Sequence, residues 1–257
     1  MSKRWYQDNR RDAWRRIARS KGYRTRSAYK LKQIQERFAI IRSGDCVLDV
    51  GCHPGGWLQV AVEESGEEGL VVGIDLLATS PVEGAVVIIG DITDDSTIER
   101  ISESIEGRDI NVVVSDISPN LTGRYDTDQT ISLELSTLVL DAAMRFVPAG
   151  GSFVTKIFQG TGIEGLVEAA KDRFSNVQRF SPTASRSSSS ETYLICQNRL
   201  PRVRAAARGK TALEQVNEHL EGLGILVEET EDEEETVVGF RRLNKDSERI
   251  LHSEFRS

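Results

Sequence analysis

Val47-Leu48-Asp49-Val50-Gly51-Cys52-His53-Pro54-Gly55-Gly56-Trp57 decides the fold. An apolar run ends in Asp-Val-Gly, a turn carries Pro54, Gly55 and Gly56, and an apolar-periodic segment opens at Trp57. Glycine has no Cβ, so its backbone approaches a ligand closely and adopts tight turns at little cost. A strand, a Gly-rich turn and a helix start together build a nucleotide crevice at the carboxyl end of the strand. The spacing is not G-x-G-x-x-G, so it fits a dinucleotide poorly.

The chain around this stretch alternates two periods. Strand-like apolar runs fall at 46–50, 70–75, 86–90, 110–115, 151–157, 176–180 and 192–197. Helical patterns lie near 56–65, 94–106, 129–147 and 162–173, preceded by two more at 9–19 and 26–38. Alternation of this kind predicts an α/β fold with a mainly parallel sheet covered on both faces. The last two runs are separated only by the Ser/Pro-rich stretch 181–191, which predicts an antiparallel hairpin. In 26–38, Leu31, Ile34 and Phe38 share a face by helical spacing, and Arg26, Lys30 and Arg37 are expected to face elsewhere.

A chain of 257 residues holds one α/β domain with an appendage and needs no staples for its core. Cys46, Cys52 and Cys196 lack metal spacing, and three scattered histidines make no case for zinc. With no apolar signal segment and no membrane-length run, a cytoplasmic protein is expected. The net charge of −7 is unevenly distributed. Residues 1–42 hold fourteen Lys/Arg against three Asp/Glu, whereas 43–199 hold ten against twenty-four. A basic arm on an acidic body reads as a phosphate-contacting surface. Trp5, Tyr6, Trp14, Tyr23 and Tyr29 are interleaved with its charges, which predicts base stacking and an RNA partner. The chain thus divides into a basic helical arm (1–42), an α/β domain (43–198) and an extension (199–257). The extension starts with a basic linker and a helical pattern near 211–222. A short strand near 224–228 follows, then the acidic run 228–235, a strand pattern at 237–242 and a helical one at 244–255, so a small α+β appendage is expected.

Polar residues at strand ends carry the chemistry. Asp75 ends the second strand, where an acidic residue in such folds accepts hydrogen bonds from ribose hydroxyls. Asp91 ends the third. An aspartate after a strand is commonly a cap or turn residue, but two in register downstream of the Gly turn favour a ligand. Asp116 follows the fourth strand. Lys156 lies within the apolar fifth strand, where an ammonium is costly unless paired and burial lowers its pKa, which suits a general base. Glu191 opens the last strand, and Lys30 sits on the helical segment near the N-terminus.

Five motifs occur in order: Arg26-Ser27-Ala28-Tyr29-Lys30-Leu31, Pro54-Gly55-Gly56-Trp57, Ser115-Asp116-Ile117-Ser118-Pro119-Asn120, Lys156-Ile157-Phe158-Gln159-Gly160 and Ala184 through Tyr193. Over residues 20–198 the chain resembles the FtsJ/RrmJ family of RNA ribose 2′-O-methyltransferases. His53 stands where that family usually has a small residue. The resemblance implies a seven-stranded Rossmann-like sheet with an antiparallel last strand and S-adenosylmethionine (SAM) as cofactor. It implies a Lys-Asp-Lys-Glu tetrad at Lys30, Asp116, Lys156 and Glu191, with cofactor contacts at Gly55, Trp57, Asp75, Asp91 and Asp116. Lys156 would be the general base, Asp116 and Lys30 would orient and tune its amine, and Glu191 would sit further out. The implied substrate is a uridine of large-subunit (23S) ribosomal RNA, as RNA or ribosomal particle, acted on by a monomer. A tRNA anticodon loop is an alternative of the same chemistry, and a non-catalytic RNA-binding assembly factor one of another class.

Overall fold

The computed structural model describes residues 13–119, 122–185 and 191–225. Seven strands form one sheet: β1 (Cys46–Val50), β2 (Leu70–Asp75), β3 (Ala85–Ile89), β4 (Val112–Ser115), β5 (Ser152–Phe158), β6 (Phe174–Phe180) and β7 (Glu191–Arg199). Their spatial order is β3-β2-β1-β4-β5-β7-β6. β1 to β5 pair in parallel, and β7 enters between β5 and β6 antiparallel to both. The expected hairpin is therefore present. β1 reverses direction of travel across the sheet, with β2 on one side and β4 on the other. Such a switch point opens a crevice beyond the strand ends.

Each face is covered. α1 (Ala28–Phe38) and α2 (Gly56–Ser65) pack on one side, burying Leu31, Ile34, Trp57 and Leu58 against Val71, Val114 and Ile195. α3 (Asp95–Ser104), α4 (Tyr125–Phe146) and α5 (Ile163–Lys171) cover the other, with Ile101, Leu140 and Leu166 on Leu48, Val113 and Phe153. The central strands β1 and β4 are buried at every residue, as continuous apolar runs require when both faces are covered. α4 starts four residues before its apolar pattern does. Asp126 and Asp128 occupy its first turn, where carboxylates complement the helix N-terminus, and Asp128 also accepts from the backbone N–H groups of Thr122 and Gly123.

Helical residues 13–20 are clipped to α1 by aromatic contacts. The Trp14 and Tyr29 rings lie 5.1 Å apart and the Tyr23 and Tyr29 rings 5.5 Å apart, edge to face. Three of the five aromatics expected to stack on bases thus pack on one another. Trp5 and Tyr6 lie outside the described residues, as does the N-terminal part of the 9–19 segment. Lys30 is 7% exposed and turned towards the sheet, where the expected tetrad needs it, whereas Arg37 is exposed. Charged partners on β7 and after β4 draw Lys30 in.

α6 (Ala212–Gly222) fulfils the helical pattern at 211–222 and docks on α4 and α5. Thr211 and Glu214 form a capping box, and the Asp141 carboxylate of α4 accepts from the Ala212 and Leu213 N–H groups. Buried Arg173 reaches the Lys210 carbonyl at 2.8 Å and also the Gln215 amide oxygen. The short strand expected near 224–228 does not start at residues 224–225, which form no strand; its remainder, the acidic run 228–235 and the patterns at 237–242 and 244–255 lie outside the described residues. Truncation after Asn198 is expected to uncover Ala207, Ala212 and Val216 contacts and to strip partners from Arg173, lowering stability by on the order of 3 kcal/mol. Thermal melting reads this as a fall of about 10 °C; an unchanged melt would show the segment to be a passive tail.

Candidate active site

Beyond the carboxyl ends of β1, β4 and β5 the side chains of Lys30, Asp116, Lys156 and Glu191 meet. Lys156 is 4% exposed. Its Nζ donates to the Asp116 carbonyl at 2.7 Å and lies 3.3 Å from Asp116 Oδ1. Lys30 Nζ lies 2.6 Å from Glu191 Oε1 and 3.7 Å from Asp116 Oδ1. Ser185 Oγ donates to Glu191 Oε1 at 2.8 Å. Two cations and two anions thus alternate in one cluster, the arrangement that tolerates removal from water.

Strand register explains the convergence. In the antiparallel β5–β7 pair, Lys156 stands opposite Tyr193 and Phe158 opposite Glu191. Residues 191 and 193 share a face by the two-residue period, as do 154 and 156. Tyr193 is the residue that sequence reasoning left without a role. It is fully buried, its hydroxyl donates to Asp116 Oδ1 at 2.6 Å, and its ring packs 5.7 Å from the Trp57 ring. Lys30 Nζ sits 5.7 Å from the centre of the same ring. Its signal was available: a tyrosine two positions from Glu191 must share that residue's face.

The electrostatics separate the groups. Burial works to raise the Asp116 carboxyl, but Lys156, Lys30 and the Tyr193 hydroxyl prevail and hold it below the usual range. Burial lowers Lys156, aided by Lys30 and opposed by Asp116. Burial also pushes Tyr193 well above its ordinary value, with Asp116 and Glu191 adding to it, so it stays a neutral donor.

Of the five residues expected at a cofactor, Asp75 ends β2, Asp91 lies just past β3, Asp116 just past β4, and Gly55 and Trp57 stand at the start of α2. Asp75 uses Oδ2 to accept from the His53 N–H and Oδ1 to accept from the Leu77 N–H, both at 2.8 Å. It thereby ties the turn after β1 to the loop after β2. Asp91 Oδ1 accepts from the Thr93 N–H and hydroxyl in a turn of its own. The Trp57 indole is buried and donates to the Ser27 carbonyl at 2.9 Å, which ties the start of α2 to the segment before α1. Gly55 has φ 103°, which an L side chain rarely adopts. A Cβ on Gly56 would collide with the Thr25 hydroxyl. These glycines are needed by the chain's own segment 24–27, a requirement the sequence did not disclose. His53 is exposed at the rim, with Nδ1 3.2 Å from Thr79 Oγ1.

Asp49, inside the central strand β1, has both carboxyl oxygens buried without a partner. Burial raises its pKa well above the usual carboxylate range, and the charges of Asp116 and Asp75 add to the effect. A carboxyl that is easier to keep protonated folded than unfolded favours the fold at low pH and loses that contribution as pH rises. Asp49→Asn is therefore expected to match the parent near pH 4 and to become progressively more stable than it towards pH 8. Parallel melting curves across that range would show Asp49 to be ionised.

Among the described residues no helix is long and apolar enough to cross a membrane. All three cysteines are buried and free, and burial pushes the Cys46 thiol up to about 11.

The sheet order and its switch point define a protein of the Rossmann-like class, and the chain belongs to the FtsJ-like methyltransferase family, which it matches over residues 23–199. It is 49% identical over 185 residues to the ribosomal RNA large subunit methyltransferase E of Methanothrix thermoacetophila, covering 72% of this chain and 71% of that one. It is 44% identical over 187 residues to the protein of the same name from Methanosarcina acetivorans, covering 73% and 68%. Among solved structures it resembles one described as a ribosomal RNA methyltransferase from Plasmodium falciparum, with a TM-score of 0.64 and 27% identity over 70% of this chain and 100% of that one.

Proposed function

We propose that the protein transfers a methyl group from SAM to a ribose 2′-hydroxyl of RNA, with a uridine of large-subunit ribosomal RNA as its target. The observation that carries this reading is the convergence of Lys30, Asp116, Lys156 and Glu191 within one chain. The names of the relatives support the ribosomal substrate. Because all four groups come from one chain, a monomer suffices. The reading places the protein in the cytoplasm.

The cofactor suits the crevice. Asp75 ends β2 and Asp116 follows β4, on either side of β1, and carboxylates so placed would favour a cationic ligand. Asp75 and Asp91 would accept from hydroxyl and amino groups, and the backbone at Gly55 and Trp57 would line the turn. When bound, SAM supplies a methyl group already activated on a sulfonium. The protein's part is to position the acceptor and remove its proton. Lys156, as the neutral amine, accepts the 2′-hydroxyl proton. Asp116 holds that amine through its carbonyl and carboxylate. Lys30 balances the Asp116 and Glu191 charges, and Glu191 orients Lys30.

RNA binding is assigned to the basic segment 1–42, of which Arg15, Arg19, Lys21 and Arg37 are exposed in the described part. Charge of this kind gives affinity that falls steeply with salt. The test is incubation with labelled SAM and either total RNA or ribosomal particles from a strain lacking the protein, followed by mapping of the methylated nucleotide. A 2′-O-methyl uridine in large-subunit RNA is the expected product. Label in tRNA alone would move the target, and absence of label with a folded, SAM-binding protein would leave a non-catalytic RNA binder.

A further inference from the structure

Arg24 belongs to the basic segment, yet its guanidinium is turned into the protein's own loops. Nη1 donates to the Pro54 carbonyl at 3.1 Å and to the Ser80 carbonyl at 2.6 Å, and Nη2 donates to the Pro81 carbonyl. The Arg24 backbone N–H donates to Gln59 Oε1 on α2, and Gln59 Nε2 returns to the Gly22 carbonyl, both at 2.9 Å. Arg24 therefore bridges two loops from a fixed base. One is the Gly-rich turn after β1. The other leads from Asp75 past Leu77 and Thr79 to Pro81.

These two loops are the walls of the cofactor crevice. Asp75 joins them through the His53 and Leu77 N–H groups, and the His53 ring meets Thr79 at the rim. Arg24 joins them on the far side of Gly55, where a Cβ would lie 2.8 Å from its Nη1 and 3.0 Å from Val82. A guanidinium is suited to this task because its planar fork presents five donors in fixed directions. A lysine ammonium gathers its three donors on one nitrogen and lacks the two separate nitrogens with which Arg24 meets these carbonyls.

We propose that Arg24 is a positioning residue for methyl transfer: by bridging the turn after β1 to the loop after β2 it sets the width of the cofactor crevice, so the segment that carries the RNA-binding charge also holds the cofactor site in shape. The inference deepens the methyltransferase reading and rests on it. Arg24 touches neither Lys156 nor Asp116 in any hydrogen bond or ion pair described, so its influence is on cofactor affinity and not on proton removal.

The test uses the full chain with Arg24→Lys and Arg24→Ala. Thermal melting establishes folding, calorimetry gives SAM affinity, and steady-state assays give KM for SAM, kcat and the pH profile. RNA affinity is measured at matched salt. Both variants are expected to weaken SAM binding and raise its KM about tenfold, the effect of losing charge-assisted hydrogen bonds that shape a site. kcat at saturating SAM and the pH profile should stay as in the parent. If Arg24→Ala does not fold, Arg24→Lys carries the test alone, because it keeps the charge and the stem and loses only the span. Parental SAM affinity in Arg24→Lys overturns the proposal. So does a loss confined to RNA affinity in Arg24→Ala, which would make Arg24 a phosphate contact. A parent that folds and binds no SAM at all would refute the methyltransferase reading itself, a result visible before any variant is made.

Discussion

Lys156→Ala is expected to lower methyl transfer by about 10²–10⁴-fold, the range attributable to a positioned general base, while SAM affinity stays within a small factor of the parent. Lys156→Arg is expected to be as inactive, because a guanidinium keeps its proton at every usable pH. The parent's rate should rise with pH as the Lys156 ammonium loses its proton. That rise should come below the ordinary lysine range of about 10.4, because burial is the main influence on this amine and Lys30 reinforces it. Rate measurements at saturating SAM across pH, set beside calorimetric SAM binding, check both points. Near-parental turnover in Lys156→Arg would reduce the lysine to a clamp on RNA.

Asp116→Asn is expected to damage the fold as well as the reaction. It leaves two ammonium groups, Lys30 and Lys156, without the carboxylate between them. Breaking a buried charge cluster in this way costs about 3–5 kcal/mol. Asp116 is held below its unfolded pKa, so its contribution is fully present above about pH 4 and disappears as pH falls through the folded value. The variant should therefore melt well below the parent at pH 7 and approach it in acid. A side chain that also faces the crevice should weaken SAM binding when changed. An Asp116→Asn protein with parental melting and turnover would show the cluster to be ornamental.

The strands were legible because the core imposes its own pattern. β1 and β2 begin and end where their apolar runs do, since Gly51 and Asp75 stop them. The hairpin of β6 and β7 was legible from the missing helix. The tetrad was legible through the family resemblance, which put Lys30, Asp116, Lys156 and Glu191 together. What escaped was set by contacts distant in sequence. Trp14, Tyr23 and Tyr29 looked like a platform for bases because spacing alone cannot say which rings find each other first. The glycines at 55 and 56 read as room for a ligand, yet the collisions they avoid are with Arg24 and Thr25. The docking of α6 depended on Asp141 and Arg173, neither of which carries a local signal.

The place of β7 in the sheet bears on how the molecule comes into being on the ribosome. Among the described strands β7 is the last to be made, yet it lies inside the sheet, between β5 and β6. It alone brings Glu191 and Tyr193, the partners of Lys30 and Asp116. A nascent chain that has emerged only as far as β6 can pair β1 through β5 and shape the Gly-rich turn, while β6 has no neighbour to join. Long-range closure of this kind is slow compared with local folding. The crevice can thus take shape before the Lys30–Asp116–Lys156–Glu191 cluster, which closes only once β7 has been made.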